Sequence, residues 1–380
     1  MTEKLYDNDA YASKFGATVL SCEEDKKGFK VVLDKTLFFP EEGGQTSDKG
    51  TINGIEVTHV VIKDDVITHY LEAPIAAGTA VEGEIDFTHR FRNMQMHSAE
   101  HIFSGLVFKH FGFNNVGFHL SDNSATMDYD GKFTYEDALK LEKEANEIII
   151  KGKTITAEYP SSDVLATLEY RSKKALCGPI RIVTVEDTDI CACCAPHVHN
   201  THEIGQFKIV SFENYKSGVR VSYLAGFRAL EDYEKRLSDL REISRTISAK
   251  AGEELKGVAK LSEDLGTYKF KNIELRNKYI ELKIQSELKD SDTGICILPA
   301  DFSSCMQFAS DALKERYKGV SVVLCGDDDN GYRFYIESDT IDLTKILADI
   351  KNSMKVKGGG KSKAIQGTVM GKAEDFCRFF

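Results

Sequence analysis

The sequence predicts an α+β protein of several domains: a small antiparallel β-barrel-like domain (residues 1–85), a mixed α/β domain (86–226), a helical hairpin or coiled coil (227–290) and a C-terminal α/β module (291–380). Three observations lead there. Apolar residues alternate with period two over short segments towards both ends of the chain, but follow helical spacing through a long charged stretch between them. Turn-forming pairs, Asn53 with Gly54 and Asp64 with Asp65, punctuate the first region. A chain of 380 residues also exceeds what one hydrophobic core organises.

The composition is that of a folded, water-facing protein, with 42% apolar and 29% charged residues. No apolar run approaches the roughly 20 residues that a membrane helix needs, and the acidic start does not read as a secretory signal. The expected location is the cytosol. Nine cysteines, at 22, 177, 191, 193, 194, 296, 305, 325 and 377, form no even framework, so they are read as core residues or metal ligands rather than disulfides. A net charge of −11 argues against a surface coated for general nucleic-acid binding. It leaves room for a local patch, and Lys351, Lys355, Lys357, Lys361, Lys363 and Lys372 follow one another with no acidic residue between them.

Taken in order, segments 28–34, 55–62 and 66–71 are rich in β-branched and aromatic residues and read as strands. The connection 34–50 carries Gly43 and Gly44, which suit either an ordinary hairpin loop or a close backbone approach to a ligand. A helix is expected from Asp86 or Thr88, both fit to cap it, to about His110 before Gly112. Phe91, Met94, Ile102 and Leu106 supply its buried face. Strands are expected next at 124–129, 154–159, 180–185, 205–210 and 218–223, with a charged helix over 134–151.

From 227 to 288 the pattern is helical. Leu230, Tyr233, Leu237 and Leu240 form one stripe and Ile273, Ile280, Ile284 and Leu288 another, after a break near Gly266. These stripes pack a hairpin or pair two subunits. The last region alternates strands (295–298, 320–325, 332–336) with helices (303–317, 341–354). It ends in a glycine loop over 357–361 and 364–368, inside the lysine tract, that fits either phosphate contacts or a solvated tail.

Chemistry concentrates in two short stretches. His97 and His101 are four residues apart, which on a helix stacks both imidazoles on one face. Cys193 and His197 repeat the spacing, and three imidazoles with one thiolate suit zinc. Zinc beside an open position favours hydrolysis of an ester or amide, whereas four protein ligands describe a closed structural site. His97-Ser-Ala-Glu-His101 also fits the H-x-x-E-H signature of zinc peptidases, with Glu100 as base; otherwise Glu100 is solvent-exposed or supports a ligand. No residue stands out as general base.

Several stretches together resemble one family. They are 34–45 with its Gly43-Gly44-Gln45, Asp48-Lys-Gly50, Met94-Gln-Met-His-Ser-Ala-Glu-His101, Cys193-Cys-Ala-Pro-His197 with Thr201 and 204–209, and Gly218-Val-Arg220. In this order they are similar to the editing region of alanyl-tRNA synthetase, and the chain resembles a freestanding alanyl-tRNA editing protein of the long AlaX type. The resemblance implies a threonyl/alanyl-tRNA synthetase editing-like zinc domain, followed by a coiled coil and a DHH-associated (DHHA1-like) domain. It implies zinc held by His97, His101, Cys193 and His197, with Thr36 and Gln45 near the aminoacyl pocket. The substrate it implies is tRNA(Ala) mischarged with serine, and with glycine in some members. The synthetase loop reads Cys-Gly-Gly-Thr-His where this chain has Cys193-Cys-Ala-Pro-His197, which leaves Cys191 and Cys194 as competing ligands.

Overall fold

The computed structural model describes every residue except 27, 123, 173–178 and 288–290. Cys177 and Leu288, the last residue of the expected helical stripe, lie outside the described residues. The chain divides into two compact units, Met1–Asp239 and Leu240–Phe380. Residues 1–85 and 86–226, expected as separate domains, share the first unit.

In that unit six strands, β1 (Lys14–Asp25), β2 (Gly28–Leu33), β3 (Gly50–Ile52), β4 (Ile55–Lys63), β5 (Val66–Leu71) and β6 (Ala80–Ile85), close into an antiparallel barrel in the order β1-β2-β5-β4-β3-β6. Closure leaves no unpaired edge. Asn53 (φ 50°) with Gly54 (φ 77°), and Asp64 (50°) with Asp65 (57°), make left-handed two-residue turns whose twist matches the strands they join. Val31, Leu33, Ile52, Val60, Ile67 and Leu71 fill the interior. His69 is buried among them. Burial drives its pKa down to about 4, so the ring is neutral at pH 7.

The connection from β2 to β3 does more than turn. Leu37, Phe38 and Phe39 enter the barrel core, and then Gly43 and Gly44 reverse the chain at φ 63° and 85°. A Cβ on Gly44 would lie 2.2 Å from the Phe118 carbonyl oxygen, so only glycine lets this loop lie against the next strand, β7 (Asn115–Leu120). There Thr46 N–H donates to Leu120 O (3.1 Å) and Leu120 N–H to Gly44 O (2.7 Å). This docking joins the barrel to the rest of the first unit.

Helix α1 (Phe87–Phe111) begins where the Asp86 side chain accepts from His89 N–H and ends at Gly112, whose φ is 70°. It is buried on every side over its middle, polar residues included, rather than along one stripe. Around it lie helix α2 (Tyr135–Lys151) and an antiparallel sheet of four strands: β7, β8 (Ala125–Tyr129), β12 (Phe207–Tyr215) and β13 (Gly218–Ala225), in the order β12-β13-β8-β7. Between β8 and β12 the chain makes a separate three-stranded sheet from β9 (Ile155–Glu158), β10 (Ile182–Val185) and β11 (Asp189–Ala192). Arg171 adds a single bridge to Cys191 at its edge. Strand β11 delivers the chain to Cys193.

Helix α3 (Gly226–Thr246) crosses the division between the units, and α4 (Glu254–Ser286) comes next. The expected break at Gly266 is absent: α4 runs through it, and the chain turns at 247–253 instead, with Ser248 and Gly252 at φ 53° and 82°. An exposed glycine costs a long helix only about 1 kcal/mol, too little to end it. Val258, Leu261, Leu265, Tyr268, Leu275, Tyr279 and Leu282 of α4 are exposed, whereas Ile280 and Ile284 are buried against the sheet of the second unit.

That sheet is built from β14 (Thr293–Leu298), β15 (Val320–Asp327), β16 (Gly331–Ser338), β17 (Lys355–Lys361) and β18 (Ala364–Met370), in the order β14-β15-β16-β18-β17. Only β14 and β15 are parallel. Helix α5 (Met306–Lys314), preceded by a 3-10 turn at Ala300–Cys305 in place of the longer helix expected, covers one face. Helix α6 (Leu343–Ser353) covers the other. The expected glycine loop is a β-hairpin. Gly358 and Gly367 face each other across it, and a Cβ on either would come within 2.9 Å of the Phe334 ring, so these glycines make room for an aromatic rather than for a loop. Among the described residues no helix is long and apolar enough to cross a membrane.

Candidate metal centre

The two histidine-bearing pairs converge. His97 and His101 from the middle of α1 meet Cys193 and His197 from the loop after β11, with one ligand-type atom of each within 4.8 Å of the others. Cys193 Sγ lies 3.5 Å from His97 Nε2 and 3.4 Å from His197 Nε2. The three imidazoles are buried.

Each ring is held from behind. His97 Nδ1 meets Gln45 Oε1 at 2.8 Å, His101 Nδ1 meets Asp189 Oδ2 at 3.0 Å, and His197 Nδ1 meets Ser98 Oγ at 2.9 Å. Gln45 Oε1 and the Asp189 carboxylate are acceptors, so Nδ1 carries the proton in His97 and His101. Ser98 Oγ, which already accepts from Val198 N–H, can accept from His197 in the same way. The Nε2 atoms are then directed at the common centre. Three nitrogens and one sulfur so arranged fit a zinc ion.

At Cys193 and His197 the protons are distributed to match, and at His101 one must leave. Burial by itself would raise the Cys193 thiol, but the imidazoles around it, His97 and His197 first, outweigh that and hold it well below its ordinary value. Burial presses His197 down to about 3. Burial also opposes charge on His101, yet the Asp189 carboxylate and Cys193 overcome it and raise that ring to about 9. Cys191 and Cys194 behave differently: burial pushes both thiols up and keeps them protonated. Of the three clustered cysteines, Cys193 alone is poised as a thiolate donor.

The ligand loop is fixed by Arg181, whose Nη1 donates to Cys193 O (3.2 Å) and Ala195 O (2.8 Å). Glu100 is fully buried rather than solvent-exposed. Its Oε1 accepts from Ser104 (2.7 Å) and Asn115 (2.6 Å), and its Oε2 is 3.9 Å from His101 Nε2.

Gln45 thus reaches the centre from the docked barrel loop. Its amide nitrogen is buried without a protein partner among the described residues. Thr36 sits in the barrel wall instead. His69 gives its Nδ1 proton to Val31 O (3.2 Å), so the Thr36 hydroxyl donates to His69 Nε2 (2.9 Å) and accepts from Phe38 N–H (3.1 Å). The six lysines are all exposed in the second unit. Lys355, Lys357 and Lys361 occupy alternate positions of β17 and so share one face, and Lys363 pairs with Asp339.

Sequence reasoning missed Ser98, Asp189, Arg171 and Arg181. Ser98 lies inside the histidine motif and Asp189 two residues before Cys191, so both were within sight. Nothing local marks the two arginines.

Two sequence families match the chain: tRNA synthetases class II (A) over residues 10–89, and the threonyl and alanyl tRNA synthetase second additional domain over residues 180–221. The alanyl-tRNA editing protein Aarsd1 of Rattus norvegicus is 30% identical over 275 residues, which cover 68% of this chain and 67% of that protein. The chain belongs to the alanyl-tRNA editing proteins. The bovine Aarsd1 is also 30% identical, over 285 residues, and the match spans 70% of this chain but only 64% of the bovine one. The alanyl-tRNA editing protein AlaX-L of Pyrococcus horikoshii is 26% identical over 391 residues, 99% of this chain and 96% of its own. Alanyl-tRNA editing proteins are hydrolases that deacylate mischarged tRNA. The two matched segments are the barrel that carries Gln45 and the region that carries Cys193 and His197.

Proposed function

We propose that this editing protein hydrolyses the aminoacyl ester of Ser-tRNA(Ala) in trans, in the cytosol, at a zinc centre of His97, His101, Cys193 and His197. The observation that carries the reading is Gln45. It orients His97 through its oxygen while its amide N–H groups, buried and without a partner among the described residues, are left for a substrate carbonyl. Zinc bound there would polarise a carbonyl or lower the pKa of a water to about 7. Water adds to the ester carbonyl, and serine and the free 3′ hydroxyl of the tRNA leave. Thr36, whose proton is committed to His69, would line the aminoacyl pocket from the barrel wall and offer a serine hydroxyl only an acceptor lone pair. A site that bonds that hydroxyl favours serine over alanine, which has no group to bond there.

A second reading, a tRNA-binding protein with a purely structural zinc, is favoured by the four-donor set. One experiment separates them. Ser-tRNA(Ala), Ala-tRNA(Ala) and a peptide library are incubated with the protein, with and without chelator. Release of serine that chelator abolishes, with Ala-tRNA(Ala) spared, supports the editing reading. Unchanged Ser-tRNA(Ala) would sink it, and cleaved peptides would point to the H-x-x-E-H chemistry of Glu100.

In this reading Lys351, Lys355, Lys357, Lys361, Lys363 and Lys372 contact tRNA phosphates, and the C-terminal module is a DHHA1-like grip. Neutralising Lys355, Lys357 and Lys361 together is expected to weaken tRNA binding and make the slope of log affinity against log salt shallower by roughly 2 to 3. An unchanged slope in a filter-binding titration removes them from the interface. The exposed apolar stripe of α4 serves as a coiled-coil seam between two subunits.

A further inference from the structure

We propose that Asp189 and Arg171 are positioning residues that set how tightly the metal centre holds its ion, acting through His101. The inference rests on the proposed zinc centre and assigns a role to two side chains that the ligand set does not include. The three imidazoles have unequal support. His97 and His197 lean on neutral groups, an amide and a hydroxyl, while His101 alone leans on a carboxylate.

That carboxylate is gripped in turn. Arg171 Nε lies 2.7 Å from Asp189 Oδ1 and Nη2 lies 2.8 Å from Oδ2, a two-point fork that fixes the plane of the carboxylate as well as its distance. The side chains of Arg171, Asp189 and His101 are 8%, 2% and 1% exposed, so water does not screen the row. The backbone holds Arg171 in place too. Its N–H donates to Ile190 O (2.8 Å), and its carbonyl accepts from Ala192 N–H (2.9 Å), which pins it beside β11.

The helix is cut to receive this arrangement. Gly105 lies one turn beyond His101, and a Cβ there would stand 2.8 Å from Thr188 O and 2.9 Å from Asp189 Cβ. Any larger residue would push the β10–β11 turn, and Asp189 with it, away from the imidazole.

A buried ion pair contributes little to folding compared with apolar packing of the same volume. A negative charge on Nδ1–H does something else: it makes Nε2 a stronger donor and holds the ring at the angle the centre needs. Losing such a partner costs metal affinity by about 10- to 100-fold.

The test is zinc affinity, measured on the full chain by competition with a chromophoric chelator, together with the visible spectrum of the cobalt(II)-loaded protein. Asp189→Asn keeps the shape and removes the charge. The double variant Asp189→Asn with Arg171→Met removes the guanidinium that would otherwise stay buried and unpaired. Both are expected to lose about 10- to 100-fold in zinc affinity and to shift the cobalt bands, while the metal-free double variant melts close to the native protein. His101→Ala is the reference and should lose the ion. Native zinc affinity in both Asp189 variants, with His101→Ala deficient, overturns the proposal and leaves the metal centre standing. Native affinity in His101→Ala as well overturns the centre and this inference with it.

Discussion

Replacing Arg90 with methionine is expected to lower the stability of the first unit by about 3–5 kcal/mol, the cost of breaking a fully buried ion pair from one side. Arg90 is 0% exposed, and so is the Asp48 side chain it meets. Its Nε lies 3.0 Å from each Asp48 oxygen, and Nη2 also bonds Oδ2. Nη1 donates to Ala10 O (3.0 Å) and Nη2 to Leu37 O (2.6 Å), while Asp48 Oδ2 accepts from Phe39 N–H (2.7 Å). One guanidinium therefore ties helix α1 to the N-terminal segment and to both ends of the loop that carries Gln45. Methionine fills much of the space but leaves a carboxylate and two carbonyls without this donor. Adding Asp48→Leu should recover part of the loss, because the stranded charge goes, so the double variant should be more stable than the sum of the singles. Urea unfolding followed by circular dichroism reads the effect. A change below about 1 kcal/mol for Arg90→Met would mean that water enters and solvates Asp48.

The parts of this protein that could be read from its sequence are those set by local spacing. Four-residue intervals placed His97 beside His101, and Asp86 and Gly112 bounded the helix, because capping and periodicity act within a few residues. Three of the six barrel strands, β2, β4 and β5, and the tight turns beside them were legible for the same reason. What escaped was set by contacts between distant segments. Gly358 and Gly367 look like loop residues until Phe334 is placed over them. Gly44 looks like a turn residue until Phe118 arrives. The fork of Arg171 on Asp189 joins residues on different segments, and Glu100, which read as exposed or supporting, is buried because the sheet behind α1 brings Asn115 to it. Helix α1 departs most from a simple reading. Phe91, Met94, Ile102 and Leu106 suggested one buried face, yet His89, Arg90, Asn93, Ser98 and Glu100 are inside as well. Such a helix is held by specific polar partners, which spacing does not reveal.

Cys193→Ala and His197→Ala are expected to remove the ion and the deacylase activity together. An apparent binding energy of about 10–16 kcal/mol for a four-ligand zinc site gives each ligand roughly 2.5–4 kcal/mol, so each single variant should bind zinc about 10²- to 10³-fold more weakly. The two losses should differ with pH. Cys193 is held low and His197 is pressed down to about 3, so neither needs to shed a proton near neutrality, whereas His101, raised to about 9, must. Zinc uptake by the native protein should therefore release a proton below pH 9 and tighten as pH rises towards it, and this dependence should persist in His197→Ala because His101 remains. In Cys193→Ala it should weaken, since the thiolate that helps keep His101 charged is gone. Calorimetric titration in buffers of different ionisation heat counts the protons, and deacylation of Ser-tRNA(Ala) by the same preparations reports the chemistry. Activity that survives with no zinc retained would detach the ester cleavage from the ion and assign it to the remaining polar groups around Gln45.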